Sequence, residues 1–382
     1  MVRRTTAAMT ATALLGATAA AAVAAVRSGR RATTPVGFTG VPLTVHATAA
    51  GRITLTRTLE TLRPGTYALV ASHGDPPARA VVGELLDVPA GDRTVVRRLI
   101  GTTPEEGPRL TPGTHVTVTP QLYQGDPLTA LGIPYTDITV PGELGALPTW
   151  WVPGDRDTWI IALHGGLGAT REQALNLLPR WQRDQFPVLI PRYRGDPGGP
   201  GAPRTRQDRN RFGAAEWHDA DAAIRHALHL GASRVILHGW STGATMALYA
   251  AAHSPLARHV AGLVLDSPVL DRAATRRALA ARRGVPTPLL PLAVAGAQGG
   301  LLPHDADPPP LITGPHGKPL PVLILHGPGD TVAPWDASRA LAARHPEAVV
   351  LHTVRQAEHA AMWNADPADY EDVLRRFVTP LM

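Results

Sequence analysis

From residue 147 onward the chain alternates short apolar runs with longer amphipathic stretches. The runs are residues 159–163, 187–190, 234–237, 262–265, 322–325 and 349–352, each four or five residues long. They are apolar on both faces, as strands buried on both sides of a parallel sheet are. Between them, residues 215–230 and 244–252 carry helical spacing. This alternation predicts a mostly parallel central sheet flanked by helices and joined by right-handed crossovers, a domain spanning 147–382. Residues 271–320 interrupt the rhythm with many prolines and glycines and the apolar stretch Pro288-Leu289-Leu290-Pro291-Leu292-Ala293-Val294. A lid inserted between two strands is expected there. Residues 36–145 follow a different pattern. Period-2 segments rich in Thr and Val, such as Arg52-Ile53-Thr54-Leu55-Thr56-Arg57 and Thr114-His115-Val116-Thr117-Val118-Thr119, are broken by Pro64-Gly65, Pro112-Gly113 and Pro141-Gly142. They predict a small β-rich N-terminal module with no chemistry-bearing motif, structural or substrate-gating in role.

Charge changes the reading of the N-terminus. Arg3, Arg4, Arg27, Arg30 and Arg31 lie in the first 35 residues, which hold no Asp or Glu, and they supply most of the formal net charge of +6. The remainder is nearly neutral, which argues against a nucleic-acid partner. Between the two basic clusters runs an apolar stretch from about Met9 to Val26. A signal peptide or signal anchor is expected over residues 1–35, leaving the protein membrane-anchored with its catalytic domain outside the cytoplasm, or secreted. The chain has no cysteine, so disulfides, thiolate catalysis and Cys-based metal sites are excluded.

Four segments carry chemistry. His238-Gly239-Trp240-Ser241-Thr242-Gly243 follows an apolar run and precedes a helical one. This is G-x-S-x-G in the strand–turn–helix setting that exposes a nucleophile, and it makes Ser241 the candidate. Leu163-His164-Gly165-Gly166-Leu167-Gly168 ends the first run. A backbone N–H from this loop, Gly166 first and Gly165 or Leu167 as neighbours, would join that of Thr242 in an oxyanion hole. His164 is expected to brace the loop. Asp330, at the end of Leu325-His326-Gly327-Pro328-Gly329-Asp330, is presented after a strand and is suited to orient a histidine. Asp266, after the preceding strand, is the competing acid. His359, in Ala357-Glu358-His359-Ala360 after the last run, is the candidate general base. His326 and His352 are expected to be packing or loop residues. The order Ser–Asp–His matches that of a hydrolase triad.

These stretches, with Pro191-Arg192-Tyr193-Arg194, Glu216-Trp217-His218-Asp219 and Leu263-Val264-Leu265-Asp266-Ser267-Pro268, resemble the α/β-hydrolase superfamily over residues 147–382. The sequence looks especially similar to exported or membrane-associated actinobacterial members. The resemblance implies a Ser-His-Asp triad of Ser241, His359 and Asp330, acyl-enzyme hydrolysis of a small-molecule or lipid ester, and no metal or organic cofactor. Two departures stand out: Thr242 where relatives often carry Met, and an unusually Arg-, Gly- and Pro-rich loop at residues 195–211. A peptidase or acyltransferase using the same triad, and a non-catalytic surface-associated scaffold, remain as alternatives, because the superfamily hosts many chemistries. The sequence leaves the oligomeric state open.

Overall fold

The computed structural model describes residues 23–24, 26–27, 42–75, 77–88, 91–102, 109–166, 168–201, 212–298 and 319–382. The first six strands are β1 (Leu43–Ala49), β2 (Arg52–Thr56), β3 (Tyr67–Gly74), β4 (Pro77–Leu85), β5 (Thr94–Thr102) and β6 (His115–Thr119). They close into an antiparallel barrel in the order β1-β2-β5-β4-β3-β6. Period-2 alternation turns Val45, Ile53, Leu55, Leu69, Val82, Val95 and Val116 inward, where they form one apolar cluster. Closure removes the edges that six short strands would otherwise leave unpaired.

After α1 (Pro127–Leu131), the chain builds an eight-stranded sheet. Its elements are β7 (Thr136–Gly142), β8 (Gly145–Val152), β9 (Thr158–Leu163), a 3-10 turn (Arg171–Asn176), α2 (Leu178–Arg183), β10 (Val188–Pro191), α3 (Trp217–His229), β11 (Arg234–Trp240), α4 (Thr242–His253) and β12 (Val260–Asp266). Beyond α5 (Arg272–Arg282) and α6 (Leu290–Gln298) come β13 (Val322–His326), α7 (Trp335–Arg344), β14 (Val349–Thr353), α8 (Met362–Ala365) and α9 (Pro367–Val378). The order is β14-β13-β12-β11-β9-β10-β8-β7. Pairing is parallel from β14 to β10 and antiparallel at β8 and β7. Each apolar run of the sequence falls on one of the parallel strands. One face of the sheet packs on small residues of α3 and α4, such as Ala223, Ala227, Ala244 and Ala247. The other packs on Trp181 of α2 and on Tyr370, Leu374 and Val378 of α9.

The boundary expected at residue 145 needs correction. The barrel ends at Thr119, and β7 pairs with β8 as the edge hairpin of the large sheet. The half-exposed alternation of Thr136–Gly142 suits an edge strand of either sheet, so pattern alone did not assign it. The expected lid segment 271–320 contributes α5 and α6, which belong to a separate compact unit with its own small core of Ala280, Val285, Leu290 and Ala293. Its residues 299–318 lie outside the described residues. The same holds for nearly all of the N-terminal segment, and among the described residues no helix is long and apolar enough to cross a membrane.

Candidate active site

β11 ends directly on Ser241, whose φ of 50° and ψ of −112° place it in the left-handed region that non-glycine residues avoid. Holding it there costs of order 1–3 kcal/mol and needs support from its surroundings. The Ser241 N–H donates to the Asp266 carbonyl at 2.8 Å, and the Ser241 carbonyl accepts from the Thr245 N–H at 3.2 Å. The flanking glycines are set by space. A Cβ on Gly239 would lie 2.3 Å from the Gly243 backbone, and one on Gly243 would lie 1.9 Å from the Leu163 carbonyl oxygen. Helix α4 starts at Thr242, so its N-terminus points its partial positive charge at the serine.

The loops after β13 and β14 bring the other two candidates to this serine. His359 Nε2 lies 2.7 Å from Ser241 Oγ, and its Nδ1 lies 2.7 Å from Asp330 Oδ2. Asp330 is tightly held. Its Oδ1 accepts from the N–H groups of Val332 and Ala333, each at 2.8 Å. Its Oδ2 also accepts from His326 Nε2 at 3.0 Å. Burial alone would raise the Asp330 carboxyl, but the His359 charge and the hydrogen bonds from His326 and His359 outweigh it and hold the group well below the ordinary carboxylate range. An ionised carboxylate only accepts, so both histidines present N–H to it. His326 Nδ1 then accepts from the Ser338 hydroxyl at 2.8 Å.

His326 is therefore not the packing or loop residue that the sequence suggested; it is a second histidine on the acid. Its position four residues before Asp330, at the last residue of a strand, was the available signal. His352 lies apart from this cluster, paired with Asp369 at 2.8 Å. His164 braces the loop after β9: its ring contacts the Gly165 carbonyl at 2.7 Å and Asp196 at 2.8 Å and stacks on Tyr193. His238, buried under the elbow, has its pKa lowered to about 3 by desolvation, so it is neutral and contributes no charge there.

Gly165 lies against Ser241, since a Cβ on it would sit 3.4 Å from Ser241 Cβ. Its own N–H is committed to Gln173 Oε1 at 2.8 Å. Within this loop that turns attention to Gly166, Leu167 being outside the described residues. Asp266, the competing acid, is fully buried and makes no contact with His359 Nδ1, which is taken by Asp330. Burial raises the Asp266 pKa to about 7, against the hydrogen bond from Ser267 and the His359 charge. Among the described residues no group of three or more His, Asp or Glu is arranged to hold a metal ion.

Residues 158–284 match the family model described as alpha/beta hydrolase fold, and residues 44–119 match a domain of unknown function (DUF8805). No curated protein sequence matches the chain. An esterase from Pyrococcus furiosus is similar in two crystal forms. One has a TM-score of 0.51 and 19% identity, covering 67% of this chain and 96% of that one. The other has a TM-score of 0.54 and 18% identity, covering 67% and 94%. A thermophilic esterase from Thermogutta terrifontis aligns more loosely, with a TM-score of 0.45 and 18% identity over 64% of this chain and 99% of that one. By sheet order, family model and fold likeness, the larger domain of this chain has the α/β-hydrolase fold.

Proposed function

We propose that the protein is a serine hydrolase that cleaves carboxylic esters through an acyl-enzyme intermediate. The observation that carries this reading is the unbroken relay from Asp330 Oδ2 to His359 Nδ1 and from His359 Nε2 to Ser241 Oγ, each step 2.7 Å. With the proton on Nδ1, Nε2 is free to take the Ser241 hydroxyl proton as Oγ attacks the ester carbonyl. The N–H groups of Thr242 and Gly166 receive the oxyanion. His359 then protonates the departing alkoxide, and a water, deprotonated in its turn by His359, releases the acid. The similarity in fold to an esterase agrees with an ester substrate. The charge pattern of residues 1–35 supports a location at the outer face of a membrane or beyond it, where a small-molecule or lipid ester would be met.

The test is hydrolysis of p-nitrophenyl esters from acetyl to palmitoyl, with fluorophosphonate labelling alongside, for wild type and Ser241→Ala. Turnover and labelling in the wild type, both lost in the variant, is the expected result. Labelling without turnover of any ester redirects the reading to a peptidase or acyltransferase. Neither labelling nor turnover leaves a non-catalytic scaffold.

A further inference from the structure

The sequence shows no chemistry-bearing motif in the barrel, yet the barrel packs against the segment that carries His359. Arg97, on β5, is buried to 2% exposure and commits its guanidinium to backbone oxygens. Nε donates to the Gly83 carbonyl at 2.8 Å, Nη1 to those of Thr61 at 3.0 Å and Arg63 at 2.6 Å, and Nη2 to that of Gly65 at 2.7 Å. Charge-assisted donors on three carbonyls of one turn fix the shape of residues 61–65.

That turn lies against residues 358–365. The Thr66 N–H donates to the Asn364 carbonyl at 2.8 Å. The Asn364 side-chain amide donates back to the Thr66 carbonyl at 2.8 Å and to the Pro120 carbonyl at 2.9 Å, just past the end of β6. Arg63 pairs with Glu358, the residue before His359. Gly65, at φ +96°, has no room for a side chain: a Cβ would sit 2.0 Å from the Asn364 carbonyl oxygen. Ala361, two residues after His359, is a member of the barrel's own apolar core.

The backbone so gripped is one that needs holding. Ala360, next to His359, has φ +55° without being glycine. From the hydrolase side it is tied by its N–H to Ser267 Oγ at 2.9 Å and by its carbonyl to Gln173 Nε2 at 3.4 Å. Met362 and Trp363 are also held by the large domain, while Glu358, Ala361 and Asn364, on either side of His359, are tied by the barrel.

We propose that the N-terminal barrel is a positioning device for the general base: the Arg97-shaped turn clamps residues 358–365 and holds the His359 imidazole between Ser241 and Asp330. The inference rests on the reading of Ser241 as nucleophile and gives the barrel a role in that reaction. Arg97, Gly65 and Asn364 are positioning residues and touch no substrate.

The experiment is Gly65→Ala in the full chain, followed by fluorophosphonate labelling of Ser241 and the kcat and KM of ester turnover per labelled site. Pushing the Asn364 carbonyl outward shifts the His359 loop. Displacement on the 1 Å scale slows chemistry by about 10- to 100-fold, with KM nearly unchanged. A mere loss of folded molecules would lower the number of sites that label and leave the rate per labelled site in place. Where Gly65→Ala does not fold, the Arg63–Glu358 pair carries the test, since both side chains reach solvent (22% and 30% exposed). Arg63→Glu is expected to slow labelling, and adding Glu358→Arg to restore it. Wild type that labels at Ser241, with folded variants that keep its rate per labelled site, overturns the clamp and leaves the nucleophile standing. Wild type that does not label removes the nucleophile reading itself, and the clamp with it.

Discussion

Asp330→Asn is the substitution that most directly interrogates the relay. The carboxylate meets four donors: two backbone N–H groups on Oδ1, and His359 and His326 on Oδ2. In the asparagine variant the oxygen stays with the N–H groups of Val332 and Ala333, because only it can accept. The amide nitrogen then faces both histidines, donor against donor. His326 escapes cheaply by moving its proton to Nδ1, since the Ser338 hydroxyl turns to accept. His359 escapes only by moving its proton to Nε2, where it faces Ser241 Oγ and blocks proton removal. The expected loss is about 10³- to 10⁴-fold in kcat, or about 4–5.5 kcal/mol of barrier, with little change in circular dichroism. Stability adds an independent reading. The folded-state pKa of Asp330 is depressed, so its contribution is present above the unfolded value of about 4 and is lost as pH falls below it. The wild type's stability advantage over Asp330→Asn should therefore hold at neutral pH and shrink on acidification. Kinetics with a p-nitrophenyl ester and urea titrations at several pH values measure both. A folded variant with activity within about tenfold of wild type would refute the tautomer argument.

Three further outcomes follow from buried geometry. Gly243→Ala places a Cβ 1.9 Å from a backbone oxygen that cannot yield as a side chain would; a loss above about 3 kcal/mol is expected in urea unfolding, and near-native stability would contradict the elbow packing. Arg194 holds the fully buried Asp219 through Nε at 2.9 Å, Nη2 at 2.6 Å and its backbone N–H at 2.7 Å, so Arg194→Met, which keeps the N–H but removes the cation, should lose on the order of 3 kcal/mol; a shift under about 1 kcal/mol would show the pair to be dispensable. The Asp266 pKa is raised to about 7, so its contribution to stability is full below about pH 4 and is lost as pH rises through 7. Asp266→Asn should thus gain on wild type across that window, by an amount on the order of 4 kcal/mol, and parallel pH–stability curves would argue that Asp266 is not a buried acid.

Much of the large domain was legible because its strands are buried on both faces. Runs such as Val322-Leu323-Ile324-Leu325 have no polar face to hide. Gly239 of the elbow was legible for a similarly local reason, a clash with Gly243 four residues on, whereas Gly243 is required by the distant Leu163 carbonyl. What sequence left open was relational. The Thr136–Gly142 segment reads as a strand, but only its hairpin partner Gly145–Val152 assigns it to the second sheet. The barrel's ties to the His359 loop join positions some 300 residues apart, such as Thr66 and Asn364. They run largely through backbone oxygens, which no side-chain pattern records.

The choice between the two acids shows the same limit at the level of chemistry. Asp266 and Asp330 both follow a parallel strand, both are buried, and both lie near enough to His359 to feel its charge. Desolvation pushes each toward the neutral acid, so the number of donors decides. Asp330 collects two backbone N–H groups from its own turn and one N–H from each of two histidines. The Asp266 carboxyl is met by the hydroxyls of Ser267 and Tyr370, while its carbonyl is occupied in holding Ser241. Two carboxyls in one pocket are thereby driven apart, one a fixed anion that keeps a proton on His359 Nδ1 and one a largely neutral acid below pH 7. In the proposed mechanism that division protects the relay: a second anion beside His359 would compete to stabilise the imidazolium and hold the proton that the leaving group needs. The turn Gly327-Pro328-Gly329 makes it possible, since a Cβ on Gly327 would meet the Val354 carbonyl at 1.8 Å and one on Gly329 the Ala357 carbonyl at 2.5 Å. Only a chain bare of side chains there can bring the Asp330 loop close enough to the His359 loop for a 2.7 Å contact.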